Sequence, residues 1–356
     1  MEKSEVALIN PQQNPAWDAF VDRHPQGWLC HQSGWQKMLE RSFSHISGQC
    51  IVVRDAKNNL IKAGLPIYKV RSILTGNRLV SAPFATLFDP LYTEEDDLHL
   101  LLRKAVELGK KEGIAQIQLK TFLSSELKNH SRFHVCCVYK AHQLILNKDP
   151  EILKKDFHRS CVRQKIKRSL CSGLNILSED SEDALKKFYN LYLVTRKRVH
   201  LPPFPYQFLK NMQDVFQPTG NMSILLVEYE GKTIAGLILF KYKNRVSAEF
   251  AASDKNYSSL SPNHYAFWHA INTAYQQGYT LFDFGRTSPK NQGLLQFKEH
   301  WGTTVRDIYE YESKNHSQQH RYPEEKLSYH VVQNIAKYLP LSAYPAFGNF
   351  CYRHMG

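Results

Sequence analysis

Ile234-Ala-Gly-Leu-Ile-Leu-Phe-Lys241 repeats, with small changes, an earlier stretch of the same chain, Lys62-Ala-Gly-Leu-Pro-Ile-Tyr-Lys69. A second pair follows in the same order: Glu112-Gly-Ile-Ala-Gln-Ile-Gln-Leu119, then Gln277-Gly-Tyr-Thr-Leu-Phe-Asp-Phe284. Matching strings in matching order point to an internal duplication. In the first copy, Cys50 to Arg54 and Ile61 to Val70 read as a hairpin turning at Lys57-Asn-Asn59. Glu94 to Glu112 then has helical periodicity, with Leu98, Leu101, Leu102, Ala105 and Leu108 on one face, and Gly113 ends it. In the second copy, Ser223 to Tyr229 and Thr233 to Tyr242 form a hairpin, and Arg245 to Ala251 gives a third strand. A helix starting at Pro262 leads to the apolar run Tyr279 to Phe284. The expected fold is α/β (α+β): two tandem units, each a mixed sheet flanked by helices.

The length, 356 residues, agrees with two units of about 150 residues each. A hydrophobic content of 42% supports packed cores rather than long disordered tails. Lys and Arg outnumber Asp and Glu, 46 to 33, so the net charge of +13 favours an anionic partner. Seven cysteines, with no C-x-x-C pair, read as reduced thiols and imply no metal site. Cys136 and Cys137 should point to opposite faces of a strand. The N-terminus has no secretory h-region, and no apolar run is long enough to span a bilayer, which predicts a cytoplasmic chain.

Between the units the pattern is helical. Arg159, Arg163 and Lys167 fall at i, i+4 and i+8 and would share one helix face. Asp183 to Val199 follows with the apolar stripe Leu185, Phe188, Leu191 and Tyr192. Leu201-Pro-Pro-Phe-Pro205 breaks it, and Tyr206 to Phe216 is another helix. The expected divisions are 1–149, then 150–320 with the helical insert and second unit, then a helical tail at 321–356.

The densest polar chemistry lies where the second copy's last strand ends, in Asp283-Phe-Gly-Arg-Thr-Ser-Pro-Lys-Asn-Gln-Gly-Leu-Leu-Gln-Phe-Lys-Glu-His-Trp-Gly302. Loops at strand ends are common locations for sites. Its Asp-Phe-Gly string is not a kinase signature, because no glycine-rich loop with a strand lysine precedes it and His158-Arg159 continues into Ser160.

These motifs together resemble the FemAB-like branch of the GNAT-fold acyltransferases, a branch that includes the peptidoglycan-bridge aminoacyltransferases. The resemblance is carried by His158-Arg159, Arg163 and Lys167 before Gly173, and by Phe188-Tyr189, Tyr192 and Thr195. It continues in Ala251-Ala-Ser253, Tyr257 and Leu260-Ser-Pro-Asn263, and ends in Phe282 to Ser288, Gly293, Phe297-Lys298 and Trp301-Gly302. It implies tandem GNAT-like subdomains and transfer of an activated acyl or aminoacyl group to an amine. Amide formation needs a neutral amine, a stabilised oxyanion and a protonated leaving group. By its place in the Phe297-Lys298 pair, Lys298 is similar to the family's lysine that supports the tetrahedral intermediate or the donor's phosphate. Asp283 is either a base for the amine or a structural partner of Arg286. Arg286 and Ser288 suit a phosphate or carboxylate of the acceptor. Arg159, Arg163 and Lys167 suit a phosphorylated acceptor or a tRNA backbone. Tyr257, Asn263 and His264 line a helix N-terminus, which favours anions, and Tyr192 and Arg196 would face the cleft.

The coenzyme A loop [QR]-x-x-G-x-[GA] is not visible after the second unit's strands, which shifts weight toward aminoacyl-tRNA as donor. The expected reaction moves an aminoacyl group from aminoacyl-tRNA to an amine of a peptidoglycan or other cell-envelope precursor. No cofactor is tightly bound and no DNA partner is implied; the donor, tRNA or acyl-CoA, is a co-substrate. The alternatives are an acyl-CoA or acyl-carrier-protein dependent N-acyltransferase of lipid or exopolysaccharide assembly, and a non-catalytic GNAT module. In the tail, Leu327, Val331, Ile335 and Leu339 recur every four residues. Such a helix either docks on the protein body or, with Lys326, Lys337 and Arg353, makes peripheral membrane contact through residues 323–354.

Overall fold

The computed structural model describes residues 4–122, 127, 131–313, 322–325 and 327–356. In chain order the elements begin with β1 (Ser4–Ile9), α1 (Pro15–Arg23), α2 (Ser33–Ser42), β2 (Ile46–Asp55), β3 (Ile61–Val70) and β4 (Arg78–Val80). Next come α3 (Glu95–Lys111), β5 (Gln116–Thr121), β6 (His134–Ile145), α4 (Pro150–Leu153), α5 (Gln164–Leu170) and β7 (Asn175–Ser178). They continue with α6 (Glu182–Arg198), α7 (Tyr206–Phe216), β8 (Met222–Tyr229), β9 (Lys232–Tyr242), β10 (Arg245–Ser253) and α8 (Pro262–Gln276). The last are β11 (Leu281–Thr287), α9 (Gln292–Glu299), β12 (Thr304–Glu312), α10 (Leu327–Tyr338) and α11 (Tyr344–Tyr352).

Two compact units result. Unit 1 comprises Met1–Val138, Ile308–Pro323 and Phe350–Gly356; unit 2 comprises Tyr139–Asp307 and Glu324–Asn349. The chain leaves unit 1 inside β6, re-enters it inside β12, and enters it again inside α11. These points fall inside regular elements, so no linker marks the boundary in the sequence.

Within unit 1 the strands run β1-β2-β3-β4-β5 and then the second half of β12. All neighbours are antiparallel except β4 with β5, which the crossover helix α3 joins. Unit 2 repeats this plan: from Tyr139 of β6 the order is β6-β11-β10-β9-β8-β7, and the parallel pair is β10 with β11, joined through α8. Parallel neighbours need such a crossover, whereas the hairpins do not.

The duplicated Ala-Gly-Leu has a packing cause. A Cβ on Gly64 of β3 would sit 2.3 Å from the ring of Trp17 in α1, and one on Gly236 of β9 would sit 3.0 Å from the ring of Phe188 in α6. Each glycine lets a helix aromatic lie on the strand backbone; at Gly64 the approach leaves no room for a Cβ, and at Gly236 a Cβ would need Phe188 to give way. The segment expected as an insert is built into unit 2: β7 pairs antiparallel with β8, and α6 covers one face of β8, β9 and β10. The other face carries an aromatic core in which Phe267 stacks on Phe284 at 5.1 Å and Trp301 lies 5.4 Å from Phe157.

The tail is fastened to unit 2 at both ends of α10: Glu325, just before it, pairs with Lys290 at 2.8 Å, and the C-terminal end is held by α6. Lys197 Nζ of α6 donates to the carbonyls of Ala336 and Lys337, at 3.2 and 3.0 Å, and of Leu339. These are carbonyls that a helix C-terminus leaves without partners. The expected apolar stripe does not dock: Leu327, Val331 and Ile335 are exposed, and Ala336 is the buried position of α10. Lys326 lies outside the described residues. Cys136 and Cys137 also depart from regular alternation, since their sulfurs and a Glu310 oxygen lie within 4.8 Å of one another. Among the described residues no helix is long and apolar enough to cross a membrane.

Candidate active site

In unit 2, β10 and β11 part company. Their parallel register runs Arg245↔Leu281, Val246↔Phe282, Ser247↔Asp283 and then stops, although β10 continues to Ser253 and β11 to Thr287. Both strands are irregular just past the last pair. The β10 ladder to β9 shifts between Ala248 and Phe250, at Glu249, and the β11 ladder to β6 shifts between Asp283 and Arg286. Bulges re-aim side chains and end pairing, and they are enriched beside sites. Gly285, at φ +74°, supplies the left-handed residue this bulge requires.

Asp283 is fully buried and holds the bulge in shape. Its Oδ1 accepts the Gly285 N–H at 2.6 Å and its Oδ2 accepts the Gln143 amide at 3.0 Å. Both carboxylate oxygens are therefore engaged by the strand frame, and neither by Arg286. Arg286 instead places its guanidinium 4.2 Å from the centre of the Tyr139 ring.

Lys298 completes the arrangement. Asn291 caps the start of α9, its Oδ1 accepting the Leu294 N–H at 3.2 Å, and buried Trp301 pins the residues after the helix. The last turn of α9 thus faces β11. Lys298, 5% exposed, donates to the carbonyls of Gly285 at 2.9 Å and Arg286 at 3.3 Å. An ammonium has three N–H groups, so one remains for a substrate atom. Burial lowers its pKa to about 8, and the negative charges of Asp283 and Glu249 partly oppose that shift. Glu249 is half-buried on the β10 bulge and accepts the Ser247 hydroxyl at 2.7 Å. His142 of β6 is fully buried, and neither ring nitrogen has a hydrogen-bond partner. Burial, with Lys298 and Lys140 adding to it, pushes its pKa down to about 4, so the imidazole is neutral at pH 7.

A buried lysine donor and a glycine-opened bulge where two parallel strands stop pairing, with a neutral imidazole on the neighbouring β6, form a site suited to an acyl carbonyl. A family profile described as "Acetyltransferase (GNAT) domain" matches residues 157–299, which span this splay and Lys298. The chain is 22% identical, over 269 residues, to the UDP-N-acetylmuramoylpentapeptide-lysine N(6)-alanyltransferase of Weissella viridescens; the match covers 69% of this chain and 76% of that protein. The crystal structure of FemX superposes with a TM-score of 0.70 at 16% identity, covering 92% of this chain and all of that one. The chain is similar to the FemAB-like branch of the GNAT-fold acyltransferases. L-PGS from Bacillus licheniformis shares the fold, with a TM-score of 0.57 at 15% identity and coverage of 92% and 97%. So does a tandem GNAT protein from the clavulanic acid biosynthesis pathway, with a TM-score of 0.57 at 9% identity and coverage of 89% and 100%.

The other residues singled out in the FemAB-like sequence fall into two groups. Several are engaged in holding the fold. His264 is buried and stacks on Trp301 at 5.9 Å; burial pushes its pKa down to about 4, Lys165 adds to that, and a backbone hydrogen bond with Cys161 opposes it. Phe297 packs on His264 and Phe267. Asn263 donates to the Ser253 hydroxyl at 3.1 Å. Tyr192 is buried and its hydroxyl accepts the Phe204 N–H at 3.4 Å. Arg196 donates twice to the Pro202 carbonyl, at 3.1 and 2.9 Å, bracing the proline-rich loop. Tyr257 lies under the Lys232 ammonium, 4.7 Å from it. Ser288 accepts the Lys290 N–H at 3.3 Å and shapes the turn into α9.

The basic residues lie elsewhere in unit 2. Arg159–Arg163 is a π-helical turn that His158 caps, and α5 follows. A π turn holds more than four residues, so i and i+4 do not align there as on an α-helix. Arg159 and Lys167 are exposed, whereas Arg163 is half-buried. The same turn brings ligating atoms of His158, Cys161 and His300 within 4.8 Å of one another, a nitrogen and sulfur set of the kind Zn²⁺ accepts. Sequence reasoning missed Glu249, Gln143 and His142. They reach the site through strand register, and the only local signal was a polar residue interrupting an apolar strand.

Proposed function

We propose that this chain transfers an aminoacyl group from aminoacyl-tRNA to the amine of a cell-envelope precursor, a lysine-like amine on a peptidoglycan peptide. The observation that supports this most is the buried Lys298, with its pKa near 8 and two of its three N–H groups committed to the β11 bulge. The Weissella viridescens relative is named for alanyl transfer to a lysine amine of a muramoyl pentapeptide.

In the reaction the neutral amine attacks the ester carbonyl at the splay. A C–N bond forms and negative charge develops on the carbonyl oxygen. The remaining Lys298 N–H donates to that oxygen from a dry, preorganised position, where such a donor acts more strongly than in water. Collapse breaks the C–O bond to the ribose, and the departing oxygen takes up the proton the amine loses. Asp283 acts as a positioning residue that keeps the bulge carbonyls aimed at Lys298.

Because the donor is made in the cytoplasm, the reaction is placed there. The exposed stripe Leu327, Val331 and Ile335 of α10 supports peripheral contact with the membrane carrying the acceptor. Transfer from acyl-CoA is the second reading, favoured by the acetyltransferase description of the profile at 157–299.

Charged tRNAs and acyl-CoAs offered in parallel, each with and without ribonuclease, separate the two. Product formation abolished by ribonuclease is expected; activity that survives it refutes the tRNA donor. Lys298→Ala should lower kcat by roughly 10²–10³, the loss typical of one oxyanion donor. Full turnover of that variant at saturating substrate would refute the assigned role.

A further inference from the structure

Unit 1 carries a hollow of ≈ 560 Å³ lined by Ser44, His45, Arg71, Ser72, Ile73, Gly76, Asn77, Arg353 and His354. Two arginines and two histidines meet there, and no acid is among the lining residues. The side chains of Arg71 and Arg353 are exposed. The acids acting nearest these groups are engaged elsewhere: Glu112 pairs with Lys69, and Glu312 takes amide hydrogen bonds from Gln116 and Gln118.

The walls are held firmly. The turn from Arg71 to Asn77 joins β3 to β4. Ser72 Oγ accepts the N–H groups of Leu74 and Thr75, at 3.2 and 3.0 Å. Thr75 Oγ1 donates to the His354 carbonyl at 3.1 Å, and buried Arg78 donates to Thr75 Oγ1 at 2.7 Å and to the His354 carbonyl at 3.3 Å. His45 lies 2.8 Å from the Met355 carbonyl. A turn braced in this way should bury its aliphatic residues, yet Ile73 is 94% exposed and Leu74 is 65% exposed. Phe350, 60% exposed, lies beside the same hollow, with its ring 5.8 Å from that of His354.

We infer that this hollow binds the phosphate of an anionic phospholipid, with Ile73, Leu74 and Phe350 entering the bilayer interface around it. Two guanidiniums without an acidic partner among the described residues match a phosphate diester. Aliphatic and aromatic side chains beside basic ones are the composition of an interfacial anchor. An RNA backbone would engage the arginines but gain nothing from an isoleucine and a leucine at the tip. This membrane face belongs to unit 1, whereas α10 belongs to unit 2, and it does not depend on the transferase reading.

The test is co-sedimentation of the full chain with vesicles of phosphatidylcholine, with and without phosphatidylglycerol, at two salt concentrations. Binding to the anionic vesicles alone, weakened by salt, is expected. Arg71→Gln with Arg353→Gln should weaken it about 25-fold, at roughly fivefold for each basic residue near such a surface. Ile73→Ser with Leu74→Ser should weaken it at least tenfold without changing the far-ultraviolet circular dichroism. Binding unaffected by both pairs overturns the inference, as does binding lost only with Val331→Ser and Ile335→Ser on α10. Competition by tRNA or by millimolar inorganic phosphate, with no vesicle binding, also overturns it.

Discussion

Replacing Lys298 with methionine tests whether this side chain is as dry as its surroundings imply. The lysine pKa falls from 10.5 to about 8 on folding, chiefly through burial. At about 1.4 kcal/mol per unit, the folded state carries a penalty of about 3 kcal/mol at neutral pH for keeping the ammonium charged. Between pH 8 and 10.5 the unfolded lysine still holds its proton while the folded one has released it. Unfolding therefore takes up a proton, and stability rises with pH across that window. Below pH 8 both forms are charged and the full penalty remains. Methionine keeps the length and removes the charge, but it leaves the carbonyls of Gly285 and Arg286 without this donor, at a cost of ~1–3 kcal/mol each. The two effects nearly cancel at pH 7. As pH approaches 10.5 the wild type loses its penalty, so the variant should become less stable than the wild type by about 3 kcal/mol more than at pH 7. Urea titrations followed by tryptophan fluorescence at pH 7, 8.5 and 10 read this difference. A difference between the two proteins that does not change with pH would refute the claim that Lys298 is desolvated.

Two further perturbations follow from packing and hydrogen bonding. Gly64→Ala and Gly236→Ala should each lower stability by ~1–3 kcal/mol through overpacking against Trp17 and Phe188. The midpoint of urea unfolding checks this, and Gly64, with the closer contact, should show the larger loss. His142→Leu removes a buried imidazole with two unpartnered nitrogens, so it should raise stability by ~1–3 kcal/mol, read as a higher Tm.

The duplication was legible because it rests on local patterns. Hairpins, a capped crossover helix and a glycine under an aromatic each leave a short signature, and these placed β2, β3, β8, β9, β10 and α8 within a few residues. The site was legible only along one strand and its following helix. Lys298 and Asp283 lie close together in sequence, so their joint position at one loop could be read. Gln143, Glu249 and His142 come from β6 and β10, and nothing short of the strand register says which of their faces meets Asp283. The cap at His158 and the π turn after it were hidden because i, i+4 spacing looks the same whichever helix forms. The tail was left open for a different reason. Periodicity shows that α10 has an apolar face but not whether anything covers it, and the contacts that hold the helix, Lys197 at its last carbonyls and Lys290 with Glu325 before its start, leave no periodic signal.

The contacts Gly64–Trp17 and Gly236–Phe188 also constrain how such a chain can change over generations. In each half a strand position and a helix position share one fixed volume, so neither can be substituted without regard to the other. A larger residue at Gly64 becomes tolerable only after Trp17 has shrunk, and shrinking Trp17 first opens a void against β3. The two halves thus keep the same Ala-Gly-Leu backbone slot and fill it with a tryptophan from α1 in one and a phenylalanine from α6 in the other.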